Sequence, residues 1–256
     1  MSAASIRQVH WIISAALAAA VRWEWIRTNS AEIAKKPKQR APDPEPPTAA
    51  EAARLIEAAW LEDDGWGVLV WLVMVTGMRR AEVAALRWSD VDLASGMLSI
   101  RRNYVRSGGR GIEKDTKSHQ MRRISLDAET VVVLAEHRQR YEVQVRALAV
   151  DPTDRAFVFS YQPTHDAPVD PSGITHRYGR MCRRLGIVSH LHALRHYSAT
   201  ELLTAGVDLR TVAGRLGHGG GGATTLRVYA AFVGASDQRA ADILGGRMRR
   251  PVRPAE

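Results

Sequence analysis

The sequence predicts an α+β fold, mainly α, with a small antiparallel β-sheet near the first third of its main domain. Two observations carry this. Two short alternating runs, MLSIRR (97–102) and MRRISL (121–126), flank a polar stretch and read as antiparallel strands. From Asp127 onward, segments with helical spacing dominate.

The elements follow in order. Ile6, Val9, Ile13, Leu17, Val21 and Trp25 recur every three or four positions and predict an amphipathic helix over Ser5–Arg27. Its apolar run Trp11–Val21 is too short to span a bilayer. A signal-peptide reading with cleavage at Ala18–Ala20 fails, because the stripe runs straight through that point. The Pro-rich, charged stretch Ala34–Pro47 reads as a linker. Thr48 and Glu51 then form a capping-box signature for a helix through Leu61. GWGVLVWLVMVTG predicts a fully buried helix stopped by Gly77, and a short helix is expected over Arg80–Leu86. The polar stretch 103–120 between the strands reads as a loop. Further helices are expected over Asp127–Arg146, Pro171–Leu185, His192–Ala205, Leu209–Leu216, Thr224–Ala231 and Ser236–Leu244. AFVFS (156–160) reads as a short strand or extended segment, and no internal repeat is visible.

Composition narrows the function classes. Lys and Arg number 36 against 27 Asp and Glu, a formal net charge of +9. With a pI near 10.2 this favours a polyanionic partner, nucleic acid before an acidic membrane surface. The single cysteine, Cys182, excludes an internal disulfide and a Cys-based zinc site, and fits a cytosolic protein.

Four stretches invite chemistry. In RLGHGGGGATTLRVYAAF (215–232), four glycines separate His218 from Tyr229. A phosphate-binding P-loop is rejected, since neither its Lys nor its Ser/Thr stands in place. A dinucleotide fingerprint is rejected too, since no parallel strand–helix–strand unit surrounds the run. In the stretch HLHALRHYSATELL beginning at His190, His192 and His196 have zinc-protease spacing, but Ala193 replaces the general-base Glu. His192 and Arg195 share a helix face that suits one anion; the plain alternative is a helix-terminus His and a surface Arg. In TGMRRAEVAALRWSDVDL, Arg79 follows the glycine stop and Glu82 lies one turn on, placed to orient the guanidinium; a local ion pair explains this equally well. In DTKSHQMRRISL, Lys117 falls at the tip of the expected hairpin, where a lysine is usually only a solvated charge.

Together these residues resemble the tyrosine recombinases of the phage-integrase type, over roughly residues 48–240. The family's order is Arg in a TG-x-R-x-x-E block, Lys in a β-hairpin, H-x-x-R, GH, then Tyr. Here these are Arg79 with Glu82, Lys117, His192 with Arg195, His218 and Tyr229. The resemblance implies a helical catalytic domain over 48–256, a linker over 34–47, and in 1–33 the last helix of an otherwise missing core-binding domain. It also implies DNA strand exchange by two transesterifications. Arg79 and Arg195 would hold the phosphate oxygens, because a guanidinium is planar and always charged. Tyr229 would be the nucleophile, with His192 accepting its proton, Lys117 protonating the leaving 5′ oxygen and His218 donating to a nonbridging oxygen. The product of attack is a 3′-phosphotyrosyl link, which keeps the bond energy, so neither a cofactor nor a metal is expected.

Double-stranded DNA carrying attachment sites is the implied partner, contacted by Arg79, Lys117 and Arg195. A homotetramer on DNA, an accessory excisionase or host bending protein, no membrane partner, and a cytoplasmic, nucleoid-associated location are further expectations. The separation of His218 from Tyr229 is longer than is common in the family, and glycine's backbone freedom suits a swinging nucleophile. Tyr104 (hairpin loop), Tyr141 and Tyr178 (helices), Tyr161 (loop) and Tyr197 read as packing or surface phenols. Two other classes stay open: a recombination-deficient DNA-binding protein on the same fold, and a zinc hydrolase using His190, His192 and His196.

Overall fold

A computed structural model of the chain describes residues 1–37, 46–115 and 121–217. The chain divides into two compact units, Met1–Asp43 and Pro44–Glu256.

In the first unit, helix α1 (Ala3–Arg22) is capped by Ser2, whose hydroxyl accepts from the Ser5 amide at 3.2 Å. It stops short of the expected Arg27. Glu24 takes a left-handed conformation (φ 60°), which breaks the helix and turns the chain back. Asn29 Nδ2 then donates to the Ser14 carbonyl at 3.0 Å, and His10 Nε2 to the Ala31 carbonyl at 2.7 Å. Trp25 therefore leaves the apolar stripe and is exposed.

In the second unit, α2 (Ala49–Glu62) opens with the expected capping box of Thr48 and Glu51. Helix α3 (Asp64–Thr76) is apolar on every side and forms the centre of the core. Around it lie Leu55 and Ala59 of α2, the short α4 (Arg80–Ala84), α5 (Ala128–Ala147), α6 (Pro171–Leu185) and α7 (Leu191–Thr204). Helix α8 (Leu209–Leu216) packs with α7 in a smaller cluster of Ala199, Val212 and Leu216. Helices α6 and α8 have the bounds expected from sequence; α4 ends two residues before Leu86.

The strands β1 (Val91–Asp92), β2 (Met97–Ile100) and β5 (Arg122–Ser125) form one antiparallel sheet in the order β1-β2-β5, with Leu98 opposite Val91 and Ile124. The stretch expected to be a loop is not one. It contains a two-stranded ribbon, β3 (Arg102–Ser107) and β4 (Arg110–Asp115), turning at Gly108 and Gly109. Both glycines have positive φ (58° and 78°), as a two-residue primed turn requires. Tyr104 therefore stands on β3, not in a loop, and packs over Gly111, where a Cβ would lie 1.7 Å from its hydroxyl. The tip of this ribbon is at Gly108–Gly109. AFVFS is extended and largely buried, joined to Arg87 by one isolated bridge at Phe157 and by the Val158 amide donating to the Leu86 carbonyl at 2.9 Å.

Gly77 ends α3 in the left-handed region (φ 64°), and a Cβ there would lie 2.3 Å from Leu216 Cδ2. Gly77→Ala should therefore pay twice, in backbone strain and in displacement of α8. A loss of about 2–3 kcal/mol in urea unfolding is expected, more than the roughly 1 kcal/mol of left-handed strain alone.

His137 of α5 is buried and donates through Nε2 to the Val158 carbonyl at 2.9 Å. Burial lowers its pKa to about 4. Between the unfolded value near 6.5 and about 4, the unfolded chain binds a proton that the folded chain refuses. Stability should thus fall as pH drops through this window. Unfolding midpoints measured at pH 7 and pH 4.5 should converge in His137→Gln relative to the parent chain.

Candidate active site

The site is built on the C-terminal end of α3. The last carbonyls of a helix have no intrahelical donor, and they sit at the negative end of its dipole. Here local and long-range donors meet them. Thr76 Oγ1 donates to the Leu72 carbonyl at 2.5 Å, and the Gly77 amide to Val73 at 2.9 Å. Ser198 of α7 donates its hydroxyl to the Met74 carbonyl. Arg215 of α8 donates Nη2 to the Val75 carbonyl at 3.1 Å and Nη1 to the Ser125 carbonyl at 3.1 Å. Arg195 of α7 donates Nη1 to the Gly77 carbonyl at 2.5 Å. A helix terminus that attracts cations thus fixes two guanidinium groups. The surface reading of Arg195 is overturned, since only 2% of the residue is exposed.

Arg79 lies at the start of α4, on the turn that leaves α3. Its Nη1 donates to Glu82 Oε1 at 2.9 Å and its amide to Oε2 at 2.8 Å. Its Nη2 donates to the Gly217 carbonyl at 2.9 Å. Glu82 does orient this guanidinium, but it is not a private partner. Arg122 of β5 grips the same carboxylate with both Nη atoms, at 2.9 and 2.7 Å, and donates Nε to the Arg215 carbonyl at 2.9 Å. Burial alone would raise the Glu82 pKa. The hydrogen bonds and charge of Arg122, with those of Arg79, outweigh it and hold the carboxyl below the ordinary range.

Arg122 is a site residue that the strand pattern of MRRISL does not single out. The signal was present in the alternation: Arg122 shares a strand face with buried Ile124, while Arg123 faces out.

His192 stands in the first turn of α7. With Arg79, Arg80, Thr175 and His190 it lines a cleft of about 450 Å³. Its ring meets that of His196 edge-on at 4.7 Å. Burial, and then the nearby His196, Arg195, His190 and Arg79, lower its pKa to about 4. His192 is therefore uncharged at neutral pH, which leaves a ring nitrogen able to accept from a hydroxyl.

His190, His192 and His196 are not gathered around one point. His190 caps α7, its Nδ1 accepting from the Ala193 amide at 3.0 Å, and its ring centroid lies 6.5 Å from that of His192. Among the described residues no group of three or more His, Cys, Asp or Glu side chains is placed to hold a metal ion.

The structure thus gathers Arg79, Glu82, His192 and Arg195 around the turn after α3. Lys117, His218, Tyr229, the glycine run and the helices expected over Thr224–Ala231 and Ser236–Leu244 lie outside the described residues. None of the other tyrosines lines the cleft. Tyr141 and Tyr178 are buried in the core, burial pushing the Tyr178 hydroxyl far above its usual range; Tyr161 is exposed, and Tyr197 packs at the edge of the core.

The class defined so far is a mainly helical α+β domain with two guanidinium groups fixed at one helix terminus. Comparison with known proteins gives the family. A model of the phage integrase family matches residues 49–232. A XerC-like tyrosine recombinase of Caldanaerobacter subterraneus is 27% identical over 161 residues, 57% of this chain and 41% of that protein. The ICEBs1 integrase of Bacillus subtilis is 24% identical, over 62% of this chain and 42% of that protein. The tyrosine recombinase XerA of Pyrococcus furiosus is 27% identical, over 88% of this chain and 70% of that protein. The chain thus spans about two fifths of the length of the first two of these relatives. Among solved structures, the Tn1549 transposon integrase bound to a circular-intermediate DNA shares the fold, with a TM-score of 0.77 at 18% identity, covering 95% of this chain and 80% of that one. A XerA recombinase crystal structure superposes with a TM-score of 0.56 at 26% identity, covering 85% of this chain and 68% of that one. The chain belongs to the phage integrase family.

Proposed function

We propose that the chain is the catalytic part of a site-specific DNA recombinase that cleaves and rejoins strands through a 3′-phosphotyrosyl intermediate. The observation that carries this reading is the pairing of Arg79, anchored on Glu82 and Gly217, with an uncharged His192 in one cleft. Arg79 and Arg195 hold the nonbridging oxygens of the scissile phosphate, where negative charge grows as the nucleophile arrives. His192 accepts the proton of Tyr229, Lys117 protonates the departing 5′ oxygen, and His218 donates to the phosphate. The reverse reaction, a 5′ hydroxyl attacking the phosphotyrosine, rejoins the strand.

The partner is double-stranded DNA. The net charge of +9 supports this, as do the solved structures of integrases in complex with DNA. Residues 1–33 serve as the end of a DNA-clamping domain, 34–47 as its linker and 48–256 as the catalytic domain. The working complex is a homotetramer on paired sites, assisted by an excisionase or a host bending protein, and located on the nucleoid in the cytoplasm. Among the described residues no helix is long and apolar enough to cross a membrane.

The test is a DNA duplex nicked close to the crossover, which traps the covalent intermediate because the short cleaved end diffuses away. The parent chain should form a protein–DNA adduct resistant to denaturation, and Tyr229→Phe should form none. Binding should weaken steeply between 50 and 200 mM salt, as phosphate contacts release counterions. DNA binding without any adduct would instead identify a binding protein on a recombinase fold.

A further inference from the structure

The Glu82 carboxylate accepts four hydrogen bonds, two from Arg79 and two from Arg122, so its acceptor sites are fully used. The two arginines differ in exposure. The Arg79 side chain is 40% exposed and lines the cleft, whereas that of Arg122 is 10% exposed and points into the protein. Arg122 also lies beside the second anchor of Arg79. Gly217 has φ 67°, and a Cβ there would lie 2.7 Å from Arg122 Nη1 and 3.0 Å from its Cζ. The guanidinium cannot yield easily, because Glu82 and the Arg215 carbonyl tie it on both edges.

We propose that Arg122 is a positioning residue that sets the reach of Arg79 by gripping one of its anchors, the Glu82 carboxylate, and bracing the turn that carries the other, through the Arg215 carbonyl and the space beside Gly217. The inference rests on the reading of Arg79 as a phosphate-binding group. The physical argument is one of competition. A carboxylate facing a single arginine draws it into a two-pronged pair. With Arg122 occupying one prong of each oxygen, Glu82 takes only one Nη of Arg79. The other Nη reaches Gly217, and the side chain stays extended over the cleft. Without Arg122, Arg79 closes fully onto Glu82 and withdraws from the phosphate.

The test uses Arg122→Lys in the full chain, which keeps the charge and removes the fork. Cleavage of the nicked duplex should slow about 10–100-fold, the range for a reacting group displaced by an ångström or less. DNA affinity should fall far less than the cleavage rate, because Arg122 itself does not face the cleft and Arg79 is one phosphate contact among several. In a chain labelled with ¹⁵N-arginine, the Arg79 guanidinium, assigned by its loss in Arg79→Lys, should shift and rotate faster in Arg122→Lys. Parent-like cleavage with an unchanged Arg79 signal overturns the proposal. A slowed reaction with an unchanged Arg79 signal also overturns it, since that marks a merely structural ion pair. If the parent chain forms no adduct, the recombinase reading fails, while the Arg79 signal still judges the role of Arg122. Should Arg122→Lys not fold, Gly217→Ala displaces the same guanidinium from the other side and is read by the same signal.

Discussion

Arg195→Ala should lose DNA cleavage by about 10²–10³-fold or more, the usual effect of removing one preorganised donor from a developing oxyanion. The structure adds a second cost. Arg195 is buried, and its Nη1 satisfies the Gly77 carbonyl at the negative end of α3. Truncation leaves that carbonyl without this donor and opens a space beside α3, so unfolding should also shift by about 2–4 kcal/mol. Arg195→Lys separates the two effects. A lysine keeps the charge near the helix terminus but lacks the planar fork. It should recover most of the stability in urea unfolding and little of the cleavage rate on the nicked duplex. Recovery of both would mean that Arg195 acts only through its charge on the helix.

Glu82→Gln is expected to be the most damaging change that preserves side-chain shape. Two guanidinium groups converge on this buried carboxylate, and neutralising it leaves two positive charges facing each other. Breaking a buried pair of this kind costs about 3–5 kcal/mol. The effect carries a pH signature. The folded pKa of Glu82 lies below its ordinary value of 4.5, so its contribution is present above that pH and is lost as pH falls towards the folded value. The stability gap between parent and Glu82→Gln should therefore be wide at pH 7 and shrink progressively as pH falls below 4.5. A gap independent of pH would show that the carboxylate charge is not what holds the two arginines. Adduct formation at pH 7 should fall with stability, because Arg79 loses one of its two anchors.

Several features were legible without coordinates because they depend on neighbours in sequence. The Thr48–Glu51 capping box, the Gly77 helix stop and the bounds of α6 and α8 rest on local hydrogen bonds and on where apolar residues recur. The pairing of MLSIRR with MRRISL followed from alternation. The β3–β4 ribbon was not foreseen. Its charged residues masked the alternation, and its turn signal, Gly108–Gly109, was read as loop composition. The end of α1 was set too late because the stripe continues to Trp25, while Asn29 and His10 pull the chain back.

The sequence by itself determined the order of the helices and the family, and it set the expectation for the site: Arg79, Glu82, His192 and Arg195, with Lys117, His218 and Tyr229 following the family's order. Only the tertiary structure decided how the described ones are held. Arg195 and Arg215 reach α3 carbonyls from more than a hundred residues away, and Arg122 enters the site from a strand that looked merely structural. The reason is physical. Periodicity reports which face of an element turns inward. The partner it meets there depends on which carbonyls and carboxylates the folded chain leaves without donors, and those exist only once α3, α7, α8 and the sheet have come together.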